Sequence, residues 1–209
     1  MSEDSRHHEG LVLRRDPAGE RHLRLTLLDP EHGVVTCLYK PASKTGAAMV
    51  TPDLFDSAEV FLDTPRSGEQ ARFVREYRLV RRLAGLGADY ARLTFACRLA
   101  NLISKNPHPP ESWRRLHTLA DGALVAFAGK PRPDAAYFKT LWLLARDEGL
   151  PVKEDFAANL RLGEVELIGT LLNTPLAGLD DTVAPPAQVE GISRALEQWL
   201  VREAHFIIG

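Results

Sequence analysis

Between Glu9 and Lys40 the chain reads EGLVLRRDPAGERHLRLTLLDPEHGVVTCLYK, and the spacing of its apolar residues leaves few folds open. Leu11 and Leu13, then Leu23, Leu25 and Leu27, alternate with polar residues, His22, Arg24 and Thr26 among them. That period of two is the signature of half-buried strands. Pro17-Ala18-Gly19 separates the first run from the second, and Asp29-Pro30-Glu31-His32-Gly33 the second from the third. In the latter turn proline sets φ early and glycine is free to take a positive φ at the close. The third run, Val34 to Tyr39, is β-branched and aromatic and stops at Pro41. A three-stranded meander of this kind has to find further strands.

Two more follow. Leu54 to Asp63 sets Ala58, Val60 and Leu62 against Glu59 and Phe61, and Ala71 to Leu79 places Phe73, Tyr77 and Leu79 on one side. Five short strands with turn signals between them predict a small closed barrel of the OB-fold type. From about Gly87 the period lengthens. Leu93, Ala96, Cys97, Ala100 and Ile103 form one helical stripe, Trp113 to Phe127 a second, and Phe138 to Ala145 a third, stopped by Gly149 and Pro151. A weaker helix is expected over Gly163 to Leu172, and a last one carries Val189, Ile192, Leu196 and Trp199 on one face. The expected class is therefore α+β: a five-stranded OB-fold barrel over residues 1–83, followed by an all-helical domain over 84–209. The three tryptophans sit in helical stripes and are expected in cores, and the tail His205 to Gly209 is expected to pack back on the helices.

Composition narrows function mainly by exclusion. The 209 residues are 44% hydrophobic and 26% charged, with a net charge of −2, so any polyanion-binding surface has to be local. Cys37 and Cys97 lie in separate apolar runs and read as buried thiols of a reducing compartment. The polar N-terminus lacks a secretory pattern and no apolar run approaches a membrane span, which predicts a soluble, cytoplasmic protein. The seven histidines show no metal-ligand spacing, and His7-His8-Glu9 reads as a solvated terminus. Phosphate loops and nucleophile elbows are absent, and Gly85-Leu86-Gly87 reads as a flexible joint between domains. No catalytic residue, metal site, cofactor or small-molecule substrate is expected.

The positive signal is the distribution of cations. From Arg72 to Arg115 there are ten basic residues against three acidic, whereas residues 150–209 carry four against nine. Arg14, Arg15 and Arg21 flank the first turn, Arg24 lies just beyond it, and Arg66 falls in the turn before the fifth strand. OB-folds hold oligonucleotides across strands two and three, between those two loops, and neutralised phosphates release counterions. The expected nucleic-acid contacts are Arg14, Arg15, Arg21, Arg24, Lys40, Lys44 and Arg66. The plainer alternative is that these arginines only keep strand exteriors soluble. Few aromatic residues are free to stack bases, so binding is expected to be electrostatic, indifferent to sequence and steeply salt-dependent.

A family resemblance runs alongside this reading. Gly10-Leu11-Val12-Leu13, Gly19-Glu20, Thr26-Leu27-Leu28, Glu31-His32-Gly33 and the strand ending at Lys40 resemble the start of RecO, a bacterial recombination mediator and DNA repair protein. Tyr137-Phe138-Lys139 leading into Leu141-Trp142-Leu143-Leu144, and Ala195 to Leu200, resemble its helical domain. The resemblance implies an OB-fold followed by helices, and a non-catalytic, nucleoid-associated protein. Such proteins bind and anneal single-stranded DNA, with double-stranded DNA a further ligand. They dock the acidic, apolar tail of the single-stranded DNA-binding protein, and act with RecR to load the RecA recombinase. Many members carry a four-cysteine zinc module; Pro151 to Gly163 has no cysteine, so none is expected here. Arg92, Arg98, Arg114 and Arg115 are the expected partner-binding cations, chosen because an acidic-apolar tail needs charge beside a hydrophobic groove. The alternative function is a protein-interaction adaptor on the same scaffold with little DNA affinity, which the net charge and the thin basic segment after Lys40 favour.

Overall fold

Five strands form in the computed structural model, which describes residues 7–41, 50–63 and 72–208. They are β1 (His7–Ala18), β2 (His22–Asp29), β3 (Gly33–Tyr39), β4 (Ser57–Leu62) and β5 (Val74–Arg81). All named pairings are antiparallel, in the order β3-β2-β1-β4-β5. Val12, Leu25, Leu27, Cys37, Tyr39, Ala58, Val60 and Leu62 make the buried core on one face, with Leu23, Val74 and Tyr77 packed against it. These are largely the residues that period-two alternation selects, because successive strand side chains point to opposite faces. Burial pushes the Cys37 thiol up to about 12, so this cysteine is an inert core residue.

The alternation fails in β1. Leu11, Val12 and Leu13 are all buried, and the register with β2 slips between Val12 and Arg14. An extra residue in one strand leaves that residue unpaired and reverses the facing of everything after it. β1 also continues through Pro17 and Ala18, paired with Leu23 and His22, so the turn is Gly19-Glu20-Arg21 and not Pro17-Ala18-Gly19. Pro17 is tolerated because this end of β1 has a partner on one side only. β2 is buried without a break from Leu25 to Asp29, more thoroughly than a half-buried strand would be.

Five helices follow: α1 (Tyr90–Lys105), α2 (Trp113–Gly129), α3 (Pro133–Asp147), α4 (Leu162–Asn173) and α5 (Pro186–Ala204). Each expected stripe supplies a helix. Asp89 caps α1 by accepting the Ala91 amide, and Pro133 and Pro186 occupy first turns, where their missing N–H is not needed. Val189, Ile192, Leu196 and Trp199 are buried along α5. The tail is pinned: the Asn106 side-chain amide donates to the Ile207 carbonyl and its oxygen accepts the Ile207 amide, at 3.0 and 2.8 Å. By compactness the chain divides into 1–83 with 107–118, and 84–106 with 119–209, so the first turn of α2 belongs with the sheet. Within that first unit the Trp113 indole lies against Gly33, 2.6 Å from where a Cβ would stand. Gly85, expected in a flexible joint, is closely packed within the second unit. Its Cα faces the Ala128 carbonyl, 2.5 Å from an added Cβ, and Leu86 beside it is buried.

The turn between β2 and β3 is held by one carboxylate. Asp29, 2% exposed, accepts the amides of Glu31 and His32 at 2.7 and 2.9 Å, and both the His8 and His32 rings contact it through Nδ1 at 2.9 and 3.1 Å. Burial alone would raise the Asp29 carboxyl. The bonds from His8, from the two amides and from His32 outweigh it and hold the group at about 2. A lowered carboxyl contributes stability that is fully present above its ordinary value of 3.8 and is lost as the pH falls through about 2. Wild-type protein should therefore exceed Asp29→Asn by about 2 kcal/mol at neutral pH, a gap that closes towards pH 2. Urea unfolding of both proteins across that range measures it, and a gap that stays constant would show that the carboxylate's charge does not hold the turn.

Candidate nucleic-acid interface

The β1–β2 turn and the end of β3 converge because Ala18 pairs with His22 and Leu23 pairs with Tyr39. A cleft of about 700 Å³ opens there, lined by Pro17, Gly19, Glu20, Arg21, His22, Leu23, Lys40 and Pro41. Gly19 takes φ +67°, a left-handed conformation that glycine adopts freely, and Arg21 and Lys40 are both exposed. The His22 ring stands edge-on to Phe73 at 5.7 Å between centroids. Two cations and a flat ring around one concavity can hold a phosphate and offer a face to a base. Among the described residues, Glu20 is the only carboxylate lining it.

The other expected contacts do not all share this surface. After the slip in β1, Arg14 pairs with Thr26, Arg15 with Leu25 and Asp16 with Arg24. Paired residues face the same way. Arg14, Asp16 and Arg24 therefore lie on the face away from the core, and Arg15 on the face of Leu25. Arg14 lies 3.4 Å from Asp16, both about 40% exposed, a pair that subtracts little energy but offsets charge locally. Arg24 is exposed on β2 between Asp16 and Leu38. Lys44 and Arg66 lie outside the described residues. Sequence reasoning did not single out His22. Its position on the polar face beside Arg21 was the available signal.

The four expected partner-binding arginines divide between the two units, Arg92 and Arg98 in one and Arg114 and Arg115 in the other. Arg92 reaches back to the carbonyls of Phe127 and Ala128 and so satisfies the open end of α2. Arg98 makes two 2.8 Å bonds to Glu197 and lies over the Tyr137 ring at 4.6 Å, while the Tyr137 hydroxyl donates to the same carboxylate. Burial, then Glu197, pushes the Tyr137 hydroxyl well above its ordinary range, and it remains a donor. Both arginines serve internal bonding. Arg114 and Arg115 are exposed, Arg114 with Glu31 at 3.1 Å, and they belong to the unit that contains the sheet. A groove that combines charge with apolar rings lies beside α5, with Phe156, Trp199, Arg202, Asp155 and Glu203 among its lining residues.

Compared with protein-family models and with curated proteins, the chain matches none.

The Arg98 assignment can be tested without any ligand. Glu197→Gln removes the counter-charge from a guanidinium that is 23% exposed, and should lower unfolding stability by about 2 kcal/mol in urea melts. Unchanged stability would return Arg98 to the pool of cations open to a partner.

Proposed function

We propose that this chain is a RecO-like recombination mediator that grips the nucleic-acid backbone with its N-terminal sheet, recruits protein partners through its helices and catalyses no reaction. The observation that carries this reading is the cleft at the β1–β2 turn, where Arg21, Lys40 and the His22 ring converge. It sits where an OB-fold takes oligonucleotides, beside strands two and three. Closure of the sheet into such a barrel is part of the proposal. Its support is a parallel bridge between Leu38 and Phe73, with the Leu38 amide donating to the Arg72 carbonyl at 2.8 Å, at the free edges of β3 and β5.

The chemistry of the cleft favours backbone over base recognition. Its cations are exposed and long, suited to neutralising phosphates, and among the described residues one imidazole is the only aromatic ring lining it. The expected ligand is single-stranded DNA, with the single-stranded DNA-binding protein's tail and RecR as protein partners. The groove beside α5 offers such a tail two apolar rings and one cation, Arg202, next to two carboxylates, Asp155 and Glu203, whereas Arg92 and Arg98 are already committed. Among the described residues, no helix is long and apolar enough to cross a membrane.

Fluorescence anisotropy with a labelled oligonucleotide tests the reading. About three phosphate contacts on a single strand should weaken affinity roughly 10–20-fold between 50 and 200 mM salt. Arg21→Ala combined with Lys40→Ala should reduce both the affinity and that salt slope, and Arg15→Ala should do less. Absence of binding at low salt would leave the adaptor reading in its place.

A further inference from the structure

We infer that His8, Asp29 and His32 form a binding site for a divalent transition metal, zinc by preference, at the end of β2 opposite the cationic cleft. The ligand atoms of these three residues all lie within 4.8 Å of one another. Asp29 is already 2.9 Å from one imidazole and 3.1 Å from the other. A tetrahedral zinc with bonds of about 2.1 Å sets its ligand atoms about 3.4 Å apart. The two contacts are made by different carboxylate oxygens, and three ligand atoms within 4.8 Å of one another have to draw in by at most about 1.4 Å to reach that spacing. His32 can supply that movement, because its side chain is 37% exposed.

The remaining ligands are held in place beforehand. Asp29 is oriented by the Glu31 and His32 amides, the kind of outer bonding that fixes a metal-bound carboxylate. His8 is 1% exposed and anchored in β1, so its ring loses little freedom on binding. Its Nε2 has no hydrogen-bond partner among the described residues. A metal held at its Nδ1 replaces the hydrogen bond that this nitrogen makes with Asp29.

The surroundings favour a cation. A cavity of about 270 Å³ adjoins the group, and Asp29 and His32 form part of its wall together with Glu9, Glu31 and Arg114. Three carboxylates thus face one guanidinium, and that guanidinium is engaged by Glu31. The cavity also leaves a fourth coordination position open to water, as three-ligand zinc sites do. Imidazole and carboxylate donors suit zinc, and cobalt serves as its spectroscopic substitute.

The test uses the full chain, stripped with chelator and titrated with zinc chloride by calorimetry, with cobalt absorption in parallel. One zinc per chain and a cobalt ligand-field band are expected, and His32→Gln should weaken binding at least ten-fold. His32→Cys, which restores a zinc ligand, should recover it. A merely structural role for His32 would not separate those two variants. Absence of saturable one-to-one binding overturns the site. So does binding lost in His7→Ala but kept in His32→Gln, which would assign the metal to the N-terminal histidine run instead.

Discussion

The sheet depends on a change of partners in β1. From His7 to Leu11 this strand pairs with β4, and from Leu11 to Ala18 it pairs with β2. Leu11 stands across from both Ser57 and Leu28. The exchange needs close backbone approach, and Gly10 permits it: a Cβ there would lie 2.5 Å from the Leu28 carbonyl oxygen. Beyond it, Val12 donates to the Asp56 carbonyl and accepts the Phe55 amide, so the chain entering β4 is tied to the middle of β1. Phe55 takes φ 65° to do this, a left-handed conformation that disfavours a bulky residue by about 1–2 kcal/mol. The burial of its ring, 2% exposed, offsets that strain.

Around this crossing the fold is pinned by buried carboxylates, and each draws on the supply of cations. Asp56 is fully buried and accepts from the Tyr77 hydroxyl, the Asp53 amide and the Arg82 guanidinium, all at 2.7–2.8 Å. It thereby fastens the exit of β5 to the start of β4. On the surface, Arg78 bonds the exposed Glu76 and lies over the Phe61 ring at 4.8 Å. Glu197 takes Arg98 and Tyr137 in the helical unit. An arginine committed to a buried carboxylate contributes no field to a passing phosphate, so the basic surface is much smaller than the arginine content implies. What remains near the β1–β2 turn is Arg21 and Lys40, with Arg24 on the adjoining face.

That selection explains which parts were legible in the sequence. Periodicity marks which residues turn inward, and so it located Leu25, Leu27, Ala58, Val60 and the α5 stripe. It assumes an unbroken period, so it could not anticipate the slip at Leu13. Arg14 and Arg15 were assigned to one surface because the turn was placed at Pro17, whereas β1 runs on to Ala18 and neighbouring strand residues face opposite ways. Charge counting treats every arginine alike. It placed Arg92 and Arg98 with a partner because their acceptors are distant in sequence: Phe127 and Ala128 for one, Glu197 for the other. The cluster of His8, Asp29 and His32 escaped for a similar reason. Asp29 and His32 share a turn, but His8 joins them only because β1 lies alongside the end of β2, and no short motif records that.

The two ends of β2 therefore carry opposite chemistry on a single rigid element. His22 stands at the cationic cleft and Asp29 at the carboxylate–imidazole cluster, seven residues along the strand, or about 24 Å apart. At physiological ionic strength charges interact over about 8 Å, so neither end screens or competes for the ligand of the other. In a protein with a net charge of −2, Arg21 and Lys40 thus lie together at one end of β2 while Asp29, Glu9 and Glu31 gather at the other. The buried middle of β2, from Leu25 to Leu28, holds those two ends at fixed separation. A cleft and a cation site on separate loops would have no such spacing.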